Sequence, residues 1–406
     1  MNKIPLKKFQ IINLLKKLKK IKLGKEKILL EKSLGRYLDE DLKSKINLPP
    51  FKNSAVDGYA LLKSDILKKN INFICKQRIA AGDKKIRKIK TGEAIRIFTG
   101  AQMPVNSSTV VMQENVILNN KNIILKKIPI YGENCRLEGE DIKKGNKILF
   151  NGEKINSTNI NLIAAIGKKK ISVKKKINIG YFTSGNELRK PTEKLKDSEI
   201  NNSNYFSLKA LLSKSYINEK YLGILKDKEE VITKSILNTI NKFHIIITTG
   251  GASVGEEDHL INTINKLGKL YFWKAAIKPG RPIAVGKIKN TIFICLPGNP
   301  VSVHLLYGMI IGPFIEYLCS GSFSTPEGVL VKTRFTMKKK NNRLEWLRVK
   351  IIKNKKNLLV KKYSKQGSGM ISSIVFADGI LEIPENVSQI SKDQFYTFYS
   401  FRNLFD

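Results

Sequence analysis

From residue 177 onward, apolar β-like runs alternate with helical stretches, and this alternation is the feature that most restricts the fold. Runs at 177–182, 221–225, 244–248 and 292–296 read as strands. Stretches at 204–212, 228–241, 257–267 and 301–311 read as helices. Strands that alternate with helices pair in parallel and are covered on both faces. The segment 176–318 is therefore expected to be a parallel-sheet α/β domain, and ligands of such sheets bind beyond the carboxyl ends of the strands.

Those ends carry chemistry. Thr183-Ser184-Gly185-Asn186-Glu187 follows the first strand and Asp227 the second. Thr249-Gly250-Gly251-Ala252-Ser253-Val254-Gly255 follows the third, with Asp258 close behind, and Pro297-Gly298-Asn299-Pro300 follows the fourth. Glycines let backbone N–H groups approach an anion, and the next helix adds its partial positive charge. Glu187, Asp227 and Asp258 fall on one face. Three carboxylates beside a phosphate call for a hard cation, and Mg²⁺ held by one or two of them plus phosphate oxygens is the usual solution. The alternative is that Asp227 and Asp258 each cap the helix that follows. Lys274 and Lys278 lie in an otherwise apolar, Pro/Gly-rich segment that also holds Arg281. Burying lysine is costly without an anion, so these two are candidate anion ligands. Ser302, at the start of an apolar helix, reads first as its cap.

The remainder of the 406 residues allows two to four domains in all. Residues 5–20 read as an amphipathic helix, with Leu6, Phe9, Ile12 and Leu15 or Ile11, Leu14 and Leu18 on its apolar side. Short β runs at 72–75, 94–98, 109–112 and 122–125 indicate a small β domain, and a helix is expected around 155–166. Strands at 329–335, 345–352, 358–362 and 379–383 indicate a second β domain at the C-terminal end. Asp57-Gly58 signals a tight turn.

Lys+Arg of 74 against Asp+Glu of 34 gives a net charge of +40, which suggests nucleic acid. The lysines are spread along the whole chain, and no basic run is interleaved with stacking aromatics. A dedicated nucleic-acid surface is therefore not expected. Four separated cysteines, with no Cys-x-x-Cys, fit a reducing, cytoplasmic setting. Lys16 and Lys17 interrupt any signal-peptide core. The uncharged stretch 290–315 is split by Pro297-Gly298-Asn299-Pro300, so it reads as strand, loop and buried helix rather than a membrane span.

Taken together, the motifs resemble the molybdopterin molybdenumtransferases, the family that includes the E domain of gephyrin. The resemblance runs from about residue 29 to 386 and keeps its order. It comprises Pro49-Pro50-Phe51, Ser54-Ala55 and Asp57-Gly58-Tyr59-Ala60; Thr99-Gly100-Ala101; Gly132 to Arg136; and Gly139-Glu140-Asp141-Ile142. Gly185 to Leu188, Gly250 to Gly255 with Asp258, Lys278 to Pro282, Leu296 to Ser302 and Gln366-Gly367-Ser368 complete it. Asn186 stands where the family commonly has Asp, and Val56 where it commonly has Met.

The resemblance implies an α/β plus β multidomain fold. It has a parallel-sheet α/β molybdopterin-binding domain (1–22 and 177–321), a linking α/β segment (23–47 and 142–176) and two small β domains (48–141 and 322–406). It also implies a homodimer that inserts molybdenum from molybdate into adenylylated molybdopterin and releases AMP with the help of Mg²⁺. Other expected partners are the molybdopterin adenylyltransferase and recipient molybdoenzymes; no membrane is expected. The catalytic residues implied are Asp57, Thr99, Glu187, Asp227, Asp258, Lys274 and Lys278, with Glu187, Asp227 and Asp258 as metal ligands. Substrate contacts implied are Arg136, Asp141, Gly250, Gly251, Ser253, Gly255, Arg281, Pro297, Gly298, Asn299, Pro300 and Ser368. Asp57, Thr99, Arg136 and Asp141 are expected to reach the site of the partner subunit. A non-catalytic scaffold, or a protein that adenylylates molybdopterin, is the competing reading.

Overall fold

The computed structural model of the protein describes residues 4–18, 21–83, 87–251, 259–340, 342–353 and 358–405. One of its six-stranded sheets comprises β1 (Ile177–Ser184), β2 (Ile217–Leu225), β3 (Ile245–Thr249), β4 (Lys269–Trp273), β5 (Ala284–Ile288) and β6 (Thr291–Leu296). They lie in the order β2-β1-β3-β6-β5-β4. The first four are parallel, as the alternation predicts. The edge pair β5 and β4 runs antiparallel, a feature the apolar periodicity does not reveal.

Alternation along each strand builds two cores. Ile179, Tyr181, Ile245, Ile247, Ile292 and Ile294 face one side, and Phe182, Ile246, Phe293 and Cys295 the other. The first side is covered by helices Ser203–Leu212 and Pro300–Leu306. The latter continues through a π turn, Tyr307–Ile311, into Gly312–Ser320. The span Pro300–Ser320 is long and apolar enough to cross a membrane, but most of it is buried inside the protein, so its apolarity serves the core. Helix Lys8–Lys17 joins the same core through Ile11 and Leu15, while Phe9 points to solvent. Helices Glu229–Thr239 and His259–Leu267 cover the second side.

A second six-stranded sheet runs Ser107–Met112, Gly58–Leu62, Glu93–Ile97, Asn72–Ile79, Asn122–Leu125, Val116–Asn119, with an apolar cluster on each face. Gly58 opens a strand here rather than forming a tight turn. A Cβ on it would lie 2.0 Å from the Val111 carbonyl oxygen, so the cross-strand approach itself requires glycine. Between the two sheets, Lys25–Leu29 pairs with Lys170–Lys174. Helix Ser157–Ala165 starts from a reciprocal Asn156–Asn159 cap.

Near the C-terminus, Leu344–Lys353 pairs with both Leu358–Lys362 and Gly379–Ile383, and closes a ring through Val329–Thr333 and Phe395–Ser400. Ile277–Lys278, from the α/β part of the chain, adds to this sheet beside Leu344–Glu345. That single pairing carries Lys278 against the C-terminal β structure.

Candidate functional site

The chain leaves β1 for β2 on one side and returns to β3 on the other, so the switch point lies between the carboxyl ends of β1 and β3. The loops there touch. Gly250 has φ +85°, and a Cβ on it would meet the Ser184 carbonyl oxygen at 2.4 Å. The Cβ position of Gly298 would lie 3.7 Å from the Gly250 Cα. Asn204 donates to the Gly298 carbonyl at 2.7 Å, which ties the Pro297–Pro300 loop to the start of helix Ser203–Leu212. Gly250, Gly251 and the Pro297-Gly298-Asn299-Pro300 loop thus form one crevice, whose backbone can be approached closely by an anion. Ser253, Gly255 and Asp258 lie outside the described residues.

Glu187 and Asp227 follow β1 and β2, which pair up to Ser184–Leu225. Both are exposed. The Glu187 carboxylate folds back over Gly185, with both oxygens 2.5 Å from where a Cβ would stand. Helix Glu229–Thr239 has Lys228 at its N-cap and no side-chain cap, so Asp227 is not spent on capping. It lines an open cleft with Glu230, Lys234 and His259 instead. Among the described residues, no three acidic, His or Cys side chains are grouped to hold a metal.

A second cleft, of about 250 Å³, opens where the α/β part meets the C-terminal β structure. It is lined by Lys278, Arg281, Pro297, Asn299, Ser302 and Ser368, with Arg343, Glu345 and Arg348. Ser302 does not cap its helix: the N-cap is Asn299, without a side-chain bond, and Ser302 is buried at the cleft. The Ser368 carbonyl accepts from the Val301 N–H at 3.2 Å, which fastens residues 366–368 to the start of the helix. Lys278 pairs with Glu345 at 2.8 Å. Lys274 adopts φ +82° and lays its ammonium over the Trp273 ring, 4.2 Å from the centroid.

Arg348 was not foreseen. It is 1% exposed, donates to the Trp346 carbonyl at 3.0 Å and to the Gln366 carbonyl, and accepts through its own carbonyl from Gln366 at 2.7 Å. Its Nε has no partner among the described residues. Burial pulls the guanidinium down to about 10, and the Glu345 charge opposes that shift. It is cationic at neutral pH. It lies in a strand buried from Leu344 to Val349, and nothing in the sequence sets it apart from the other basic residues.

The expected residues of the 48–141 region are fastened by local bonds within it. Ser54 exchanges backbone bonds with Gly100 and Ala101, and Cys135–Arg136 pairs with Asn53–Ser54. The Asp141 N–H donates to Leu48 at 3.1 Å. Asp57 accepts from the Thr99 N–H at 2.8 Å and the Thr99 hydroxyl at 2.7 Å. These bonds, the backbone one first, hold the Asp57 carboxyl below its usual range. Arg136 and Asp141 are exposed. Among the described residues, no hydrogen bond or ion pair joins Asp57, Thr99, Arg136 or Asp141 to the α/β loops within one chain.

Known families divide the chain in the same order. Residues 8–167 match the "MoeA N-terminal region (domain I and II)", 180–317 the "Probable molybdopterin binding domain" and 331–394 the "MoeA C-terminal region (domain IV)". The molybdopterin molybdenumtransferase of Haemophilus influenzae is 32% identical over 378 residues, which is 92% of this chain and 93% of the relative. That of Staphylococcus epidermidis is 28% identical over 360 residues, 87% of this chain and 86% of the relative. The solved structure of a molybdopterin biosynthesis MoeA protein from Pyrococcus horikoshii OT3 superposes with a TM-score of 0.83 at 26% identity, covering 98% of this chain and 100% of that one. Fold and matches first define a class, the multidomain proteins built around a molybdopterin-binding α/β domain. Within it, the chain belongs to the molybdopterin molybdenumtransferase family, a family of transferases.

Proposed function

We propose that the protein works in molybdenum cofactor biosynthesis, inserting molybdenum from molybdate into adenylylated molybdopterin with release of AMP. The observation that carries this reading is the cationic cleft, where Lys278, Arg281, Ser368 and the buried Arg348 meet beside the glycine-lined crevice. Molybdate, a tetrahedral dianion, suits fixed cations and a hydroxyl in a partly dehydrated site. Lys274, held over Trp273, adds positive charge on the same segment. The crevice of Gly250, Gly251 and Pro297 to Pro300 takes the phosphate-bearing part of the substrate; Ser253 and Gly255 are further proposed substrate contacts.

Glu187, Asp227 and Asp258 are the proposed ligands of Mg²⁺. The fit rests on their chemistry: hard oxygen donors, two of them at the ends of neighbouring strands beside a phosphate crevice. Held by these carboxylates, Mg²⁺ would supply positive charge to offset that of the phosphoanhydride.

The second wall is assigned to a partner subunit. Asp57 is bonded to Thr99, and Arg136 and Asp141 are exposed in the same 48–141 region; among the described residues no bond ties any of the four to the crevice of their own chain. A homodimer in which these residues meet the other subunit's crevice uses both. Separate hydrophobic cores support units at 48–141 and at 23–47 with 142–176; 322–406 has a core of its own around Val331 and Leu347, while its Leu344, Trp346, Ile380 and Phe401 join the core of 1–22 with 177–321. A molybdopterin adenylyltransferase supplies the substrate, recipient molybdoenzymes take the product, and the setting is the cytoplasm.

The test is to mix the purified protein with adenylylated molybdopterin and Mg²⁺, with and without molybdate. AMP release that requires molybdate is expected. No release under reducing, metal-replete conditions would remove the assignment.

A further inference from the structure

The cleft assigned to the oxyanion contains its own anion. Glu345 lies within it, with its side chain 10% exposed, and its Oε1 is 2.8 Å from Lys278 Nζ. The pairing of Ile277–Lys278 with Leu344–Glu345 places the two residues side by side on adjacent backbone, so the contact is built into the sheet. Glu345 also borders a neighbouring basic cleft of about 480 Å³ that adds Lys338, Lys340 and Lys362. Lys278, Arg343, Glu345 and Gln366 are common to both. Glu345 is thus the carboxylate at the wall shared by two cationic clefts.

An anion-binding site gains nothing in affinity from a nearly buried carboxylate. Each anion that enters meets its repulsion and competes with it for Lys278. We propose that Glu345 is an internal counter-anion that occupies Lys278 until an oxyanion displaces it, and that its charge sets how tightly the cleft holds oxyanions, weakening dianions more than monoanions. Its charge lowers the affinity for all oxyanions by long-range repulsion. An oxyanion stays only where it also makes the short contacts offered by Ser368 and the buried Arg348. The inference rests on the reading of this cleft as the molybdate site.

Coulomb energy is proportional to ligand charge. Removing the carboxylate should therefore strengthen dianion binding by about the square of its effect on a monoanion. The full-length protein is titrated calorimetrically with sodium molybdate, sodium sulfate and sodium perchlorate, as wild type and as Glu345→Gln, Glu345→Ala and Glu345→Asp. The neutral variants are expected to bind molybdate and sulfate roughly tenfold more tightly and perchlorate roughly threefold. Glu345→Asp, which keeps the charge, should stay near wild type. Two neutral variants are used so that a folding failure in one leaves the other to decide. Unchanged or weaker oxyanion binding in a folded neutral variant, or an equal gain in Glu345→Asp, overturns the proposal. Failure of the molybdate-site reading looks different: the wild type itself would then bind no molybdate.

Discussion

Asp57 is held twice by one neighbour, since the same Oδ1 accepts from the backbone N–H and from the hydroxyl of Thr99, at 2.8 and 2.7 Å. The carboxylate is thereby kept charged and aimed, while its half-buried position leaves it partly accessible to a partner. Asp57→Asn should lower turnover about 100-fold in a folded protein. Thr99→Val, which keeps the N–H, should lose roughly tenfold, as measured by AMP release.

The same pair sets an acid limit. The folded-state pKa of Asp57 is depressed, so its contribution to stability is present above the unfolded value of about 3.9 and is lost as pH falls through the folded one. The difference in melting temperature between wild type and Asp57→Asn should be constant from about pH 5 to 8 and close below about pH 4. A difference that persists unchanged in stronger acid contradicts this assignment of the shift.

Lys278 and Arg348 should separate binding from folding. Lys278→Met removes an exposed cation and leaves Glu345 unpaired, which should cost about 1–2 kcal/mol, less than breaking a wholly buried pair. Molybdate binding should fall with it. Arg348→Met orphans the Trp346 and Gln366 carbonyls, at about 1–3 kcal/mol each. Arg348→Lys should not restore molybdate binding, because an ammonium cannot reproduce the planar fork. Denaturant titration and calorimetry read the two effects separately.

Gly250→Ala brings a Cβ to 2.4 Å from the Ser184 carbonyl oxygen at φ +85°. The strain should cost about 1–3 kcal/mol and open the crevice. The expected signature is a raised KM for the adenylylated substrate, with molybdate binding by the cleft at Lys278 retained.

A site shared between subunits allows complementation. Asp57→Ala and Asp258→Ala proteins, each inactive, should recover activity after denaturation and refolding together. Half of the dimers are then mixed and each mixed dimer has one intact site, so about a quarter of wild-type activity is expected. No recovery, with mixed dimers present by mass, would place both residues in the same subunit's site.

The order of elements was legible because period and punctuation agree: strands at 122–125, 358–362 and 379–383 fall at the residues expected. The antiparallel edge of β4 and β5 was not, because two short strands at a sheet margin leave the same apolar pattern whichever way they run. Lys278 was legible as a cation stranded among Pro and Gly. Its partner Glu345 was not, since the pairing of Ile277–Lys278 with a strand more than sixty residues away is a tertiary fact. Arg348 looked like any basic residue in a lysine-rich chain until its burial was seen.

The most direct measurement counts product. Wild-type protein is given adenylylated molybdopterin, Mg²⁺ and labelled molybdate, and AMP is quantified against the molybdenum that stays with the pterin after gel filtration. One AMP per molybdenum atom retained, with both near zero when molybdate is omitted, is the predicted result. AMP release at the same rate without molybdate, or molybdenum retention without AMP, would contradict it.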